Sequence, residues 1–177
     1  MKEKFIFNVK RFSMKYCLFI FMIVAASCGH TYYVVRHAEK AIPTANMGSD
    51  VPLSAEGEQR AIDLKEALKN KKIAYIYSTN TIRTKTTAKP TADHFGLTTE
   101  IYGPRPDSAF VALLKTKKKN TLIVGHSNTI DDIVNMLCGE KKVAADLPET
   151  EYDNLYVIKK KGKRFLFSPQ KYGAVTK

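Results

Sequence analysis

The sequence predicts an α/β fold, a three-layer α/β/α sandwich around a mostly parallel sheet with an antiparallel edge. Short β-rich runs that are apolar at consecutive positions alternate with stretches whose apolar residues recur at helical spacing. Continuous apolar runs indicate strands buried on both faces, as in a parallel sheet. Near the end, two β-rich runs flank a Lys-Lys-Lys-Gly-Lys turn, which is typical of an antiparallel hairpin.

The predicted elements alternate regularly until that hairpin. Strands are predicted over 31–35, 73–77, 98–102, 121–124, 154–158 and 164–167. Helices are predicted over 55–69, 80–95, 108–116 and 128–138. Ser54 is a good N-cap for the first helix, and Gly96 and Gly139 are good endings for the second and fourth. Strands that alternate with helices form right-handed βαβ units, with helices on both faces of the sheet.

Residues 1–27 are predicted to be a signal peptide, and residues 28–177 a single domain. A basic start is followed by the apolar run 17–26, which is shorter than the roughly 20 residues of a membrane-spanning helix. Met14 is an alternative start. The segment Ala25-Ala26-Ser27-Cys28 resembles a bacterial lipobox, so we expect export to the periplasm or cell envelope with a lipid on Cys28; ordinary signal cleavage is the alternative.

The charge of the domain restricts its partners. Residues 28–177 keep 24 basic and 16 acidic side chains, a net charge of +8. Such a balance attracts phosphorylated substrates, anionic lipid or nucleic acid. No basic motif is interleaved with aromatic residues, so a nucleic-acid partner is not expected. Beyond Cys28 the only thiol is Cys138, so the domain is predicted to have no internal disulfide.

Two histidines occupy equivalent positions in the predicted sheet. Arg36 and His37 directly follow the first strand, and Gly125 and His126 directly follow the fourth. Ligands of open α/β sheets bind at the carboxyl ends of the strands, so both histidines are expected to point into one crevice.

Two arginines make this crevice suitable for phosphate. The guanidinium of Arg36 is a fixed charge with several N–H donors. Arg83 is predicted near the start of the second helix, where the backbone N–H groups and the helix dipole also favour anions. A neutral His37 in such a pocket could attack phosphorus, because the surrounding donors would neutralise the transferring oxygens.

These residues resemble the motifs of the histidine phosphatase superfamily, which has the phosphoglycerate-mutase-like fold. The resemblance rests on three segments in the family's order, between about residues 31 and 158. They are Val-Val-Arg36-His37-Ala38-Glu39-Lys40, then Ser78-Thr79 with Arg83-Thr84 and Thr87-Ala88, and Val-Gly125-His126-Ser127-Asn128. The family often has glycine where this chain has Ala38.

The resemblance implies that His37 forms a phosphohistidine while Arg36, Arg83 and His126 hold the phosphoryl group. It implies no metal and no cofactor. The family's general acid, which protonates the leaving group, is expected at Asp107, with Glu100 as the alternative. Asp107 is also a natural N-cap for the third helix.

The function expected is hydrolysis of a phosphomonoester on a small molecule. Two alternatives stay open: a phosphohistidine (phosphoramidate) phosphatase, which needs less help from an acid, and a non-catalytic phosphate-binding module tethered to the membrane.

Overall fold

A computed structural model describes residues 29–43 and 50–176 of the 177-residue chain. The predicted signal peptide and Cys28 lie outside these residues. Within the described ranges, no helix combines the length and the apolar character needed to cross a bilayer.

The domain contains six strands and four helices in the described residues. The strands are β1 (His30–Arg36), β2 (Tyr75–Thr79), β3 (Thr99–Tyr102), β4 (Thr121–Gly125), β5 (Asn154–Lys161) and β6 (Arg164–Lys171). The helices are α1 (Ala55–Leu68), α2 (Ile82–Phe95), α3 (Ser108–Thr116) and α4 (Ile130–Cys138).

All six strands form one sheet in the order β3-β2-β4-β1-β5-β6. Strands β1 to β4 pair in parallel, whereas β5 is antiparallel to β1 and β6 is antiparallel to β5. The predicted parallel sheet with an antiparallel edge is therefore confirmed. We call the edge where β1 to β4 end the carboxyl edge. The amino edge is where they begin, and the β5–β6 turn lies there because His30 pairs with Lys160.

Alternate residues of the central strands supply two separate cores. On one face Tyr32, Val34 and Ile123 pack with α3 and α4. On the other face Tyr33, Val35 and Leu122 pack with α1 and α2. Both faces of these strands are buried, which explains their continuous apolar runs.

Some element boundaries differ from the predicted ones because polar residues take part in the elements or cap them. Strand β2 begins at Tyr75 and includes Ser78 and Thr79, which are both fully buried. Helix α2 begins at Ile82, since Thr81 adopts an extended backbone and its side chain accepts a hydrogen bond from the N–H of Thr84. Helix α4 begins at Ile130, because the preceding residues form a turn after β4.

Candidate active site

The two predicted site histidines lie side by side at the carboxyl edge. Strands β1 and β4 are neighbours, with Arg36 in register with Gly125, so the residues that follow them are adjacent. The backbone N–H of His37 donates to the carbonyl of Gly125 at 2.9 Å. The centroids of the His37 and His126 rings are 5.4 Å apart. The sheet topology therefore brings together two residues that are far apart in the chain.

The backbone fixes the orientation and the tautomer of His37. Its Nδ1 lies 2.8 Å from the carbonyl oxygen of Ala38, which can only accept, so Nδ1 carries the proton and donates. The lone pair is therefore on Nε2. The side chain is 3% exposed. Burial, together with the charges of Arg36 and Arg83, lowers the pKa of His37 to about 3, so the ring is neutral at pH 7.

The small side chain of Ala38 is required by the packing around it. Ala38 is fully buried in a cluster with Leu53 and Ala61. Its backbone N–H donates to Oγ1 of Thr87 at 2.9 Å, and that hydroxyl donates in turn to the carbonyl of Arg83 at 2.8 Å. These bonds attach the peptide that follows His37 to the first turns of α2, the helix that supplies Arg83.

A network of threonines orients His126. Nε2 of His126 is 2.8 Å from Oγ1 of Thr79, and that hydroxyl donates to Oγ1 of Thr84 at 3.0 Å. Nδ1 of His126 is 3.5 Å from an Nη of Arg83, which can only donate. This network assigns the proton to Nε2 and the lone pair to Nδ1. Burial and the charge of Arg83 lower the pKa of His126 to about 4.

Arg83 reaches the histidines from the first turn of α2. A carboxylate holds it there: the side chain of Asp50 accepts from the N–H of Ile82 at 2.9 Å and from Nη1 of Arg83 at 3.4 Å. The contact with Arg83 is also an ion pair. Asp50 was not among the predicted site residues, since an acid in an irregular loop has no local pattern that marks it.

The side chain of Arg36 is buried beneath the cavity and does not line it. Its side chain is 1% exposed, and its Nη1 donates to the carbonyl of Pro148 at 2.7 Å. Its Nη2 donates to the carboxylate of Glu149 at 3.0 Å. The guanidinium lies 4.1 Å from the centre of the Tyr152 ring, and Nε is buried without a hydrogen-bond partner among the described residues. The charge of Arg36 helps to lower the pKa of both histidines. The carboxylate of Glu149 contacts the guanidinium of Arg36 from the side of the cavity.

A cavity of about 640 Å³ opens above these side chains. Of the predicted residues, His37, Arg83 and His126 line it, whereas Arg36 and Asp107 do not. Lys40 also lines it, together with two carboxylates from the segment after α4, Asp146 and Glu149. The site thus presents two neutral imidazoles between fixed positive charges, which suits an oxyanion such as phosphate.

The predicted general acid lies away from this cavity. The carboxylate of Asp107 accepts from the N–H of Phe110 at 2.8 Å, as the N-cap of α3. Glu100, the alternative, is an exposed residue of β3 and does not line the cavity either. The structure therefore gives Asp107 the capping role that its sequence position also suggested, and the acid role stays a prediction without geometric support.

Glu149 is the site residue that sequence reasoning missed. Its carboxylate contacts Arg36, lies 3.5 Å from Nζ of Lys40 and accepts from the Ser127 hydroxyl at 3.3 Å. Desolvation raises its pKa, but the charges of Arg36 and Lys40 outweigh this, and the pKa is lowered overall. An antiparallel strand begins where parallel strands end, so the predicted hairpin could have indicated that residues just before β5 reach the carboxyl edge.

Glu39 has a structural role, unlike its neighbour Lys40. Nε of Arg60 donates to the Glu39 carboxylate at 2.8 Å, and Nη1 of Arg60 donates to the carbonyl of Ala174 at 2.9 Å. This buried ion pair joins the segment after β1 to α1 and to the end of the described chain. A larger groove of about 1100 Å³ lies beside it and is lined by none of the predicted site residues.

Comparison with known proteins agrees with this arrangement. Residues 32–103 match the family model of the histidine phosphatase superfamily (branch 1). This segment is similar to that superfamily, and it spans less than half of the chain. The matched residues include Arg36, His37 and Arg83, and they end before β4 and His126. No curated protein matches the chain significantly.

Solved structures share the fold at low sequence identity. The SixA protein of Agrobacterium tumefaciens superposes with a TM-score of 0.61 at 21% identity, covering 81% of this chain and 97% of the other. The protein histidine phosphatase SixA in complex with tungstate gives a TM-score of 0.63 at 18% identity, covering 80% and 96%. A mycobacterial glucosyl-3-phosphoglycerate phosphatase gives 0.59 at 12% identity, covering 82% and 100%. The predicted fold is thereby confirmed, and the match over residues 32–103 supports the predicted superfamily and a phosphatase activity.

Proposed function

We propose that this domain hydrolyses a phosphorylated substrate through a phosphohistidine formed on Nε2 of His37. The observation that supports this most directly is the hydrogen bond from Nδ1 of His37 to the Ala38 carbonyl at 2.8 Å. It leaves the unprotonated nitrogen free on a buried ring whose lowered pKa keeps it neutral, and therefore nucleophilic, at pH 7.

The reaction proceeds in two displacements at phosphorus. In the first, the lone pair of Nε2 forms an N–P bond while the bond to the leaving group breaks, and the leaving atom keeps its electron pair. In the second, a water oxygen forms a P–O bond and loses a proton to solvent while the N–P bond breaks, which returns the lone pair to Nε2 and releases phosphate. Arg83, and Arg36 once Glu149 moves aside, would stabilise the charge on the transferring oxygens.

The first candidate substrate is a phosphomonoester on a small molecule. The oxygen of its leaving group departs more readily when an acid protonates it. The carboxyl groups that line the cavity, and so lie nearest to such a leaving group, are those of Asp146 and Glu149. Glu149 is held in its charged form by Arg36 and Lys40, which makes it a poor proton donor at pH 7.

A second candidate, a phosphohistidine phosphatase, is favoured by the position of Asp107. With that carboxylate engaged as the cap of α3, a leaving group that needs little help from an acid fits the cavity better. The imidazole of a phosphoramidate is such a leaving group. One of the structural relatives is described as a protein histidine phosphatase.

The test is hydrolysis of p-nitrophenyl phosphate by the full chain in the presence of EDTA. His37→Ala should lower kcat/KM by more than about a thousandfold, because the nucleophile is lost. His94→Ala, which replaces an exposed histidine far from the cavity, is the matched control and should retain full activity.

The same proteins should be assayed with a phosphorylated histidine peptide. A higher kcat/KM for the peptide would select the second candidate. Binding of phosphate by wild type without turnover of either substrate would contradict the proposed enzyme and would favour a phosphate-binding module.

We also propose that the chain is exported and anchored in the cell envelope by a lipid on Cys28. The support is the basic start, the apolar run 17–26 and the small residues before Cys28. Mass spectrometry of the membrane fraction should find Cys28 diacylated at the new N-terminus, and Cys28→Ser should abolish this species. An unmodified cysteine in the mature protein would refute lipidation.

A further inference from the structure

The amino edge of the sheet has a strong excess of positive charge. Four connecting segments meet there: 69–74, 117–120, 139–142 and the β5–β6 turn at 159–164. Together they contain thirteen lysines and arginines and a single carboxylate, Glu140. We call these four segments the basic edge.

Contacts between these segments show that they form one surface. The side chain of Asn120 accepts from the N–H of Thr31 at 2.8 Å and donates to the carbonyl of Lys71 at 2.5 Å. Nζ of Lys160 lies 4.3 Å from the centre of the Phe165 ring, and Nζ of Lys115, just before the second segment, lies 5.6 Å from the same ring. Lys115 also donates to the carbonyl of Met136 at 3.2 Å, near the third segment.

Several of these lysines are exposed and not neutralised by the protein. Within residues 29–43 and 50–176, Lys69 pairs with Glu66 and Lys142 with Glu140. The exposed lysines of the basic edge that make no side-chain hydrogen bond or ion pair there include Lys118, Lys119, Lys141, Lys161 and Lys163. Elsewhere exposed lysines have acidic partners, for example Lys89 with Asp93 at 2.6 Å and Lys171 with Asp153 at 2.8 Å. Like charges that crowd one face without counter-charges raise the local potential and attract an external polyanion.

The direction of β1 identifies the polyanion. Strand β1 begins at His30 on the basic edge, two residues after Cys28 in the chain, so the proposed lipid on Cys28 would bring this edge to the membrane. The strand is seven residues long and ends at the catalytic cavity. At roughly 3.3 Å per residue, the cavity is about 20 Å from the basic edge.

We infer that the basic edge docks on anionic phospholipid headgroups and holds the catalytic cavity away from the membrane. A flat anionic surface would contact all four segments together, and each lysine near it contributes roughly fivefold to binding. The inference does not depend on the phosphatase activity. It uses the proposed envelope location only to prefer lipid over nucleic acid.

The test is hydrogen exchange of the full chain reconstituted in two kinds of vesicle, one of phosphatidylcholine and one containing about one third phosphatidylglycerol. Amides in 117–119 and 162–163 should exchange at least about fivefold more slowly on the anionic vesicles, whereas amides in 36–40 should not change. Salt at about 1 M should remove the difference, because it screens exposed charges.

A triple variant isolates the lysines. Lys118→Gln, Lys119→Gln and Lys161→Gln together should weaken attraction to the anionic surface about a hundredfold and abolish the slowed exchange. The matched control is the triple variant Lys65→Gln, Lys85→Gln and Lys89→Gln. It removes the same amount of charge from α1 and α2, and it should still show the slowed exchange on anionic vesicles. Turnover of p-nitrophenyl phosphate, measured in parallel, should be the same in both variants.

Two results would overturn the inference. One is equal exchange on the two kinds of vesicle. The other is protection of the same amides by an RNA oligonucleotide at a lower phosphate concentration than the anionic vesicles require, which would assign the surface to nucleic acid.

Discussion

The two edges of the sheet are both rich in positive charge, but they use it in opposite ways. At the carboxyl edge the arginines are held by carboxylates: Asp50 contacts Arg83, and Glu149 contacts Arg36. At the amino edge the lysines of the basic edge are exposed, and most have no acidic partner in the described chain. Fixed, buried cations can stabilise charge that develops at one atom, whereas mobile, exposed cations suit a diffuse anionic surface.

The largest difference between the two edges should come from removing a cation at the carboxyl edge. Arg83→Gln should lower kcat/KM for p-nitrophenyl phosphate by about a hundred- to a thousandfold, since it deletes a fixed donor at the transferring oxygens. Lys119→Gln, the same loss of charge at the other edge, should change kcat/KM by less than about twofold. A loss of similar size in both variants would remove the distinction between the edges.

The pH dependence should show that the two site histidines are buried among cations. Their pKa values are lowered to about 3 and about 4, against a reference near 6.5. In the proposed mechanism the neutral rings are the active forms, so kcat/KM should not fall with a midpoint near pH 6.5 and should decline only as pH approaches 4. The imidazole resonances of His37 and His126, followed by NMR, should not titrate between pH 5 and 8.

The same shifts affect stability. The unfolded histidines bind protons near pH 6.5 and the folded ones only below about 4, so the free energy of unfolding should decrease as pH falls from 6.5 toward 3. A resonance of either site histidine that titrates near pH 6.5 would contradict the buried, cation-surrounded site.

The smallest effect tests whether Glu149 competes with phosphate for Arg36. Glu149→Gln should lower the inhibition constant of inorganic phosphate by about fivefold, because the anion that contacts Nη2 of Arg36 is removed. Glu151→Gln is the control, since that carboxylate contacts Asn154 instead. A loss of turnover by more than a hundredfold in Glu149→Gln would instead identify Glu149 as the missing acid.

Most of the fold and the centre of the site could be predicted from local sequence patterns. Strands β1 and β4 appear as apolar runs because both of their faces are buried, and α1 is marked by its cap at Ser54. Both site histidines directly follow such strands, so topology alone places them together. Boundaries at β2 and α2 were less accurate, since Ser78, Thr79 and Thr81 form hydrogen bonds that hydrophobic periodicity does not reveal.

The sequence by itself determined the sheet, the pairing of His37 with His126 and the approach of Arg83, because each depends on periodicity or on a position next to a strand or helix end. Only the tertiary structure decided which carboxylates reach the cavity. Asp107 lies in the predicted loop 103–107 but caps α3, whereas Asp50 and Glu149 reach the arginines from irregular segments. Contacts between irregular segments depend on how the whole chain packs, and no local pattern encodes them.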